Sequence, residues 1–418
     1  MSSKRPINAD EPARPPTPEA VGEKGSSAPK PASPAAKKPQ DPAPKPQARR
    51  PKPLAPKLLA LLVVIAVAFI AIAVVGGTGG GEEEPSSAGP PAATAELGFP
   101  ALATANTTRV GGADPAANAA AVALAVYPST SESQRPRSVA LVDEGNWAGA
   151  LAAGVLMATP VRAPLLFTAG GEQPAATEEA LSALEPGKVH RIPDEGAAAS
   201  AAAVAKLRDR LFPDPPKHIV IAPEGEPELA APAAAWAARS GDPVLFAGGD
   251  ELPAPTAAYL EKHPKRPIFV LGPSSALSSK VVREAERVGG AVSRVAGEDP
   301  VAGAIAFARY SKDGFGWNIN DPGHGFVLVR AGATLDAAAA APLSGAGTWG
   351  PLLLTDDADT LPGELREYFL DVKPGYTDDP TRAFYNHVWV IGDQEAIDVN
   401  QQAEVNELAE LARIGDGR

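Results

Sequence analysis

From about residue 109 onward, short apolar runs alternate with Ala-rich stretches. Ser138-Val-Ala-Leu-Val142, His218-Ile-Val-Ile-Ala222 and Gly325-Phe-Val-Leu-Val329 are mostly apolar runs of the length expected of buried strands. Each is followed by a second run: Ala163-Pro-Leu-Leu-Phe-Thr168, Asp242-Pro-Val-Leu-Phe-Ala247 and Gly350-Pro-Leu-Leu-Leu-Thr355. Between the two members of each pair the pattern predicts a small-residue helix: 148–159, 229–239 and the stretch after Gly332. Gln173–Leu181, Pro253–Lys262, Ser278–Val288 and Asn400–Ile414 read as further helices. The first opens with Pro in its first turn and acids near its N-terminus, where the helix dipole favours them. Strands alternating with helices in this way predict parallel βαβ units with right-handed crossovers.

One string occurs three times. Arg109-Val-Gly-Gly-Ala-Asp114, Arg191-Ile-Pro-Asp-Glu-Gly196 and Arg294-Val-Ala-Gly-Glu-Asp299 each lead into an Ala-rich run. Arg and a β-branched residue, then a turn, then alanines describe a strand end, a tight turn and a helix start. The recurrence predicts tandem units over 105–187, 188–290 and 291–414. Arg109 and Arg191 are 82 residues apart, whereas Arg191 and Arg294 are 103 apart. The shortfall is a missing strand and helix in the first unit. The second unit has them at Ile268–Gly272 and Ser278–Val288, and the third at His387–Gly392 and Asn400–Ile414.

The N-terminal region differs in kind. Residues 1–57 are rich in Pro, Ala and Lys, with 12 Lys/Arg and 5 Asp/Glu, and cannot bury enough apolar surface to fold. Their charges come without aromatics, so no nucleic-acid partner is expected. Leu58–Val75 is an uncharged run of 18 residues within the segment 58–77, the length and polarity of a membrane helix. A buried core helix would show a polar face, and a signal peptide would have a shorter leading segment. Lys and Arg before the run and Glu82-Glu-Glu84 after it predict a single-pass protein of the cytoplasmic membrane. Its tail would be inside and its C-terminal domain outside. Residues 78–104 read as a flexible tether. Gly77-Thr-Gly-Gly-Gly81 follows no βαβ strand and is not a nucleotide loop.

The chain has 418 residues, a net charge of −12 and no cysteine, which excludes disulfides, thiolate metal sites and a thiolate nucleophile. Nucleophile-elbow, zinc-helix and phosphate-loop motifs are absent, so no catalytic residue, metal or cofactor is expected. Paired carboxylates for glycoside cleavage stay open, because separation in space is not legible here. Asp356-Asp-Ala-Asp359 lacks the spacing of a calcium loop. Arg109, Arg191 and Arg294 stand at the carboxyl ends of strands, where α/β sheets bind ligands. They either fork an anion on a polymer or pair with an acid of their own turn, such as Asp114 or Asp299. The third unit carries an insertion, Asp313-Gly-Phe-Gly-Trp-Asn-Ile-Asn-Asp-Pro-Gly-His-Gly325. Trp317 there either contacts a ligand or caps the core.

Taken together, the Arg-Val-x-Gly-x-Asp turn, Ala-Pro-Leu-Leu-Phe-Thr and Val-x-Val-(Ile/Leu)-Gly resemble the type 2 cell wall-binding repeat. That family occurs as three tandem copies in surface proteins of Gram-positive bacteria, and the resemblance covers roughly Arg109–Leu411. It implies three Rossmann-like units about a pseudo-threefold axis. It also implies non-covalent contact with an anionic wall polysaccharide in grooves between units. The positions it points to are Arg109, Asp114, Trp147, Arg294, Asp299 and Asp336, with Trp317 added by the insertion. The family's Asp-Arg-Tyr is here Asp114-Pro-Ala and Asp299-Pro-Val, which removes a cation from each implied polyanion site. A ligand- or protein-binding module without wall affinity is the alternative reading. The sequence carries no sign of oligomeric state.

Overall fold

The computed structural model describes residues 102–345 and 349–414. The expected tail, the apolar run Leu58–Val75 and nearly all of the expected tether lie outside the described residues. Among the described residues no helix is long and apolar enough to cross a membrane. The longest, Ala197–Leu211, has 15 residues and carries Lys206, Arg208, Asp209 and Arg210, whereas a span needs about 20 apolar ones. The expected placement in the cytoplasmic membrane is corrected accordingly: the described structure supplies no membrane partner segment.

Strand β1 (Leu102–Ala103) precedes β2 (Thr107–Val110), α1 (Pro115–Val126), β3 (Ser138–Asp143) and α2 (Trp147–Ala153). Next come β4 (Leu165–Thr168), α3 (Ala175–Leu184), β5 (Lys188–Arg191) and α4 (Ala197–Leu211). The middle of the chain forms β6 (Ile219–Pro223), α5 (Pro227–Ser240), β7 (Val244–Ala247) and α6 (Ala254–Lys262). It continues through β8 (Ile268–Leu271), α7 (Ser279–Val288), β9 (Val292–Val295) and α8 (Pro300–Arg309). The last part holds β10 (Gly325–Arg330), α9 (Thr334–Gly345), β11 (Leu352–Thr355) and α10 (Gly363–Asp371). It ends with β12 (Gly375–Tyr376), β13 (His387–Ile391), α11 (Val399–Ala409) and β14 (Ala412–Arg413).

The strands form sheets ordered β4-β3-β5, β7-β6-β8-β9 and β1-β2-β13-β10-β11, with a small β12-β14 pair. Every pairing is parallel except β1 with β2. This is the α/β class with parallel sheets that the alternating pattern predicts. The first sheet lacks the strand that β8 and β13 supply to the other two. There β5 pairs directly with β3, Leu141 opposite Arg191.

Connectivity between the sheets was not legible in sequence. Strand β2 carries the first Arg turn, yet it pairs with β13 near the other end of the chain, Arg109 opposite Val390. Likewise β5 closes the sheet of β3, and β9 closes the sheet of β8. Strands β5 and β9 are edge strands and β2 lies between β1 and β13, while the helix behind each Arg strand packs on a different sheet.

The arginines hold this arrangement. Arg109 is buried at 1% exposure. Its Nη1 donates to the carbonyls of Gly392 and Asp393 at 3.0 and 2.5 Å, and its Nη2 to Ile397 at 2.5 Å. Its Nε donates to Gln402 Oε1 at 3.1 Å. Burial pulls its pKa down, and the charges of Asp393 and Asp398 act against that. Half-buried Arg294 meets the equivalent loop after β8, donating to Gly272, Pro273 and Leu277 carbonyls at 2.7, 3.0 and 2.5 Å. Both loops begin at a glycine of positive φ, 92° at Gly272 and 96° at Gly392, which turns the carbonyls inward. The first sheet has no such loop, and Arg191 is exposed.

Three helices, α2, α5 and α9, pack against one another at the centre. Ala148–Ala153, Leu229–Ala238 and Asp336–Ser344 are buried almost without exception. Alanine allows backbones to approach closely, at the cost of burying little area per residue. A Cβ on Gly154 would fall 2.7 Å from the Ala234 carbonyl, and one on Gly345 3.0 Å from that of Ala238. The tight fit at Gly154 coincides with the first departure from expectation. The helix expected over 148–159 ends at Ala153 and continues as a 3-10 turn, Gly154–Met157. The last helix stops at Ala409 rather than Ile414, because Ala412–Arg413 pair with Gly375–Tyr376.

Replacing the three arginines singly should separate these roles in urea unfolding. Arg109→Ala leaves several buried carbonyls without a donor and should cost more than about 3 kcal/mol. Arg191→Ala should stay within about 0.5 kcal/mol, with Arg294→Ala between them. Equal losses at Arg109 and Arg191 would overturn this account of the clasp.

Candidate functional site

The carboxyl ends of the parallel strands carry most residues that the sequence singles out, but with different partners. Arg109 is held by loop carbonyls and the Gln402 side chain, and Arg294 by loop carbonyls; neither pairs with Asp114 or Asp299. Those two acids are helix N-caps. Asp114 accepts from the Ala117 amide at 2.8 Å and Asp299 from the Ala302 amide at 2.9 Å, and both remain exposed.

Arg109, Asp114 and Asp336 do come to one junction, between the turn after β2 and the start of α9. Asn118 ties the turn to Asp336: its Oδ1 accepts from the Gly112 amide at 2.6 Å, and its Nδ2 donates to Asp336 Oδ1 at 2.9 Å. Asp336 is 8% exposed, and burial pushes its pKa up to about 6, with Asp114 and Asp393 adding repulsion against the bond from Asn118. In α5 the third helical residue, where α9 has Asp336, is Leu229, whose methyl groups lie beside Gly272 and Gly303.

A third junction opens a groove of about 240 Å³ between the loop after β3, the start of α4 and the residue after β6. Half-buried Trp147 forms one wall, and Asp194 and Glu224 stand on the others. The indole edge rests on Phe246 of β7, with ring centroids 5.1 Å apart and planes at 79°. Buried Asn146 fixes the indole's position. Its Oδ1 accepts from the Gly149 amide at 2.9 Å, capping α2, and its Nδ2 donates to the Pro193 carbonyl at 2.9 Å. The adjoining Asp143 is held below the usual carboxylate range by the Gly171 and Gly145 amides. Glu144 is pushed up by burial and by the charges of Asp114 and Asp143. The rims of these junctions are therefore acidic. An aromatic plate flanked by carboxylates suits sugar hydroxyls, which donate to such oxygens, better than it suits a polyanion.

Trp317 lies apart from all of these, buried at 4% exposure near the amino ends of β6 and β7. Among the described residues no group of three His, Cys, Asp or Glu side chains is placed to hold a metal. Sequence reasoning missed Asn118, Gln402 and the two carbonyl loops. The glycine after Val-x-Val-(Ile/Leu) was their one visible signal, since it recurs at Gly272 and Gly392.

The buried carboxyl of Asp336 makes stability depend on pH. Its folded pKa of about 6 lies above its ordinary 3.8, so the folded state holds the proton more tightly. That contribution is present in full below about pH 4 and is lost as the pH rises through 6. Asp336→Asn should therefore raise stability at pH 7 by about 1–3 kcal/mol, with the gain vanishing near pH 4. Urea melts of both proteins across that range check it, and an unchanged difference between pH 4 and 7 would contradict it.

No family model matches the chain, and none of the curated proteins matches it. Among solved structures the fold is similar to Cwp6 from Clostridium difficile, with a TM-score of 0.58 and 18% identity. That match covers 73% of this chain and 48% of Cwp6. It is also similar to Cwp8 from the same organism, with a TM-score of 0.55 and 18% identity over 73% of this chain and 52% of the other. Both neighbours are cell wall proteins. This chain spans about half the length of each, and at this identity the likeness is one of fold.

Proposed function

We propose that the chain is a wall-associated binding protein rather than an enzyme, built as three related α/β units arranged about a pseudo-threefold axis. Its contact with wall polysaccharide lies in the groove beside Trp147. The shared strand order of two sheets and the paired Arg cradles support the repeat arrangement. The fold likeness to two cell wall proteins supports the setting. The observation that carries the binding reading is the half-buried indole of Trp147 in a groove walled by Asp194 and Glu224.

An indole face packs against the C–H face of a pyranose, while carboxylates accept hydrogen bonds from its hydroxyls. Uncharged or amine-bearing sugars fit such a groove. Arg109, which the family resemblance would make an anion contact, has its guanidinium donors taken by Gln402 and loop carbonyls, and Arg294 gives three hydrogen bonds to loop carbonyls. In this reading they position the loops that border the junctions.

Sedimentation of the full-length protein with purified walls tests the proposal. Saturable binding is expected, and Trp147→Ala should raise the half-saturation concentration by about tenfold, or roughly 1.4 kcal/mol. Absence of sedimentation would overturn the wall reading. Binding unchanged by Trp147→Ala would remove the groove from it.

A further inference from the structure

The insertion between α8 and β10 builds a second cavity, at the end of the sheets opposite the Trp147 groove. Its walls come from His218 and Asp242, which precede β6 and β7, from the last turns of α5, and from Trp349 just before β11. The cavity holds about 310 Å³, enough for a single small ligand.

The insertion is seated firmly. Phe315 stacks on Phe269 with centroids 3.8 Å apart and planes at 7°. Gly316 has φ 98°, and a Cβ there would fall 2.2 Å from the Tyr310 carbonyl. His218 ties the loop down, with Nε2 3.1 Å from the Asp313 carbonyl and Nδ1 2.9 Å from Asp242 Oδ2. Asp242 also accepts from the Trp236 indole N–H at 3.1 Å and the His218 amide at 3.0 Å. This acid is therefore satisfied within the wall and offers the cavity little open negative charge.

What faces the opening is aromatic and cationic. Trp317 stands edge-on to Trp236 at 5.6 Å and lies nearly parallel to Trp349, with centroids 6.2 Å apart and planes at 24°. The Arg239 guanidinium sits 4.4 Å over the Trp349 ring, which holds it at the mouth. Lys217 and Arg239 are exposed, and neither forms an ion pair among the described residues. Two open cations, one of them over an indole, in a chain of net charge −12 mark a local reversal of sign.

We propose that this cavity binds an anionic sugar, its ring against the accessible part of Trp349 and its carboxylate or phosphate between Arg239 and Lys217. The anion-accepting site of the chain then lies at the amino ends of the strands, away from the acid-rimmed junctions. Only the source of the sugar, a wall polymer, rests on the function proposed above.

Tryptophan fluorescence of the full-length protein tests the site, since three of the five tryptophans line it. Glucuronate and glucose 6-phosphate are the charged probes, and glucose is the neutral one. Saturable quenching is expected with at least one charged sugar, the stronger of the two identifying the anion. Glucose should bind at least about tenfold more weakly, the effect of losing a charge-assisted contact. Arg239→Gln combined with Lys217→Gln should weaken the charged sugar by a similar factor with the melting temperature unchanged, whereas Trp147→Ala should leave it unaffected. No saturable quenching, equal binding of glucose, or indifference to the double substitution would each overturn the proposal. Charged-sugar binding without wall sedimentation would sustain this site and defeat the wall reading. Wall sedimentation without sugar binding would do the reverse.

Discussion

The pairing of β2 with β13, locked by the Arg109 guanidinium, is the constraint on which the rest of the structure depends. It joins residues 107–110 to residues 388–391 and so ties the start of the described chain to its end. A guanidinium can satisfy several carbonyls of one loop at once, because its donors form a rigid planar fork. The turn after Gly392 presents those carbonyls to it, and Gln402 supplies a side-chain acceptor. Without this clasp the third sheet would end at an unpaired β13, and the buried loop carbonyls would face no donor.

That closure sets the space at the centre, and the composition of the central helices follows from it. Helices α2, α5 and α9 meet there with almost no side-chain volume between their backbones. Larger side chains in those positions would force the helices apart and strain the sheets behind them. Bulk gathers in two aromatic clusters, one around Phe315 and Trp236, the latter projecting from α5, and one around Phe326 and Tyr368. The insertion contributes Phe315 and Trp317 to the first cluster, which makes it part of the core as well as the wall of a cavity.

Charge is distributed by the same architecture. Arg109 and Arg294 are turned to loop carbonyls, while Asp114 and Asp299 of their turns cap helices and stay exposed. The junctions at the carboxyl ends are left with acidic rims and a buried Asp336 whose pKa burial raises. The amino ends of β6 and β7 carry the open cations Lys217 and Arg239. A ligand with both hydroxyl-rich and anionic portions would thus meet different chemistry at the two ends of the sheets.

Much of this was legible along the chain. The Arg turns recur at 109, 191 and 294, and α1, α4 and α8 begin at residues 115, 197 and 300, immediately after their turns. The missing strand of the first sheet showed in the spacing alone. These features are local: apolar period, turn residues and Ala-rich runs act over a few neighbours and leave their mark in the order of residues. The partner of each Arg strand, by contrast, depends on contacts across some 280 residues between Arg109 and Gly392. Nothing in the local pattern of Thr107–Val110 distinguishes a strand that opens its own unit from one that closes another. The roles of Arg109, Asp114 and Asp336 were decided there too, because a guanidinium or carboxylate takes its function from whichever donors, acceptors and solvent the closed fold brings within about 3 Å of it.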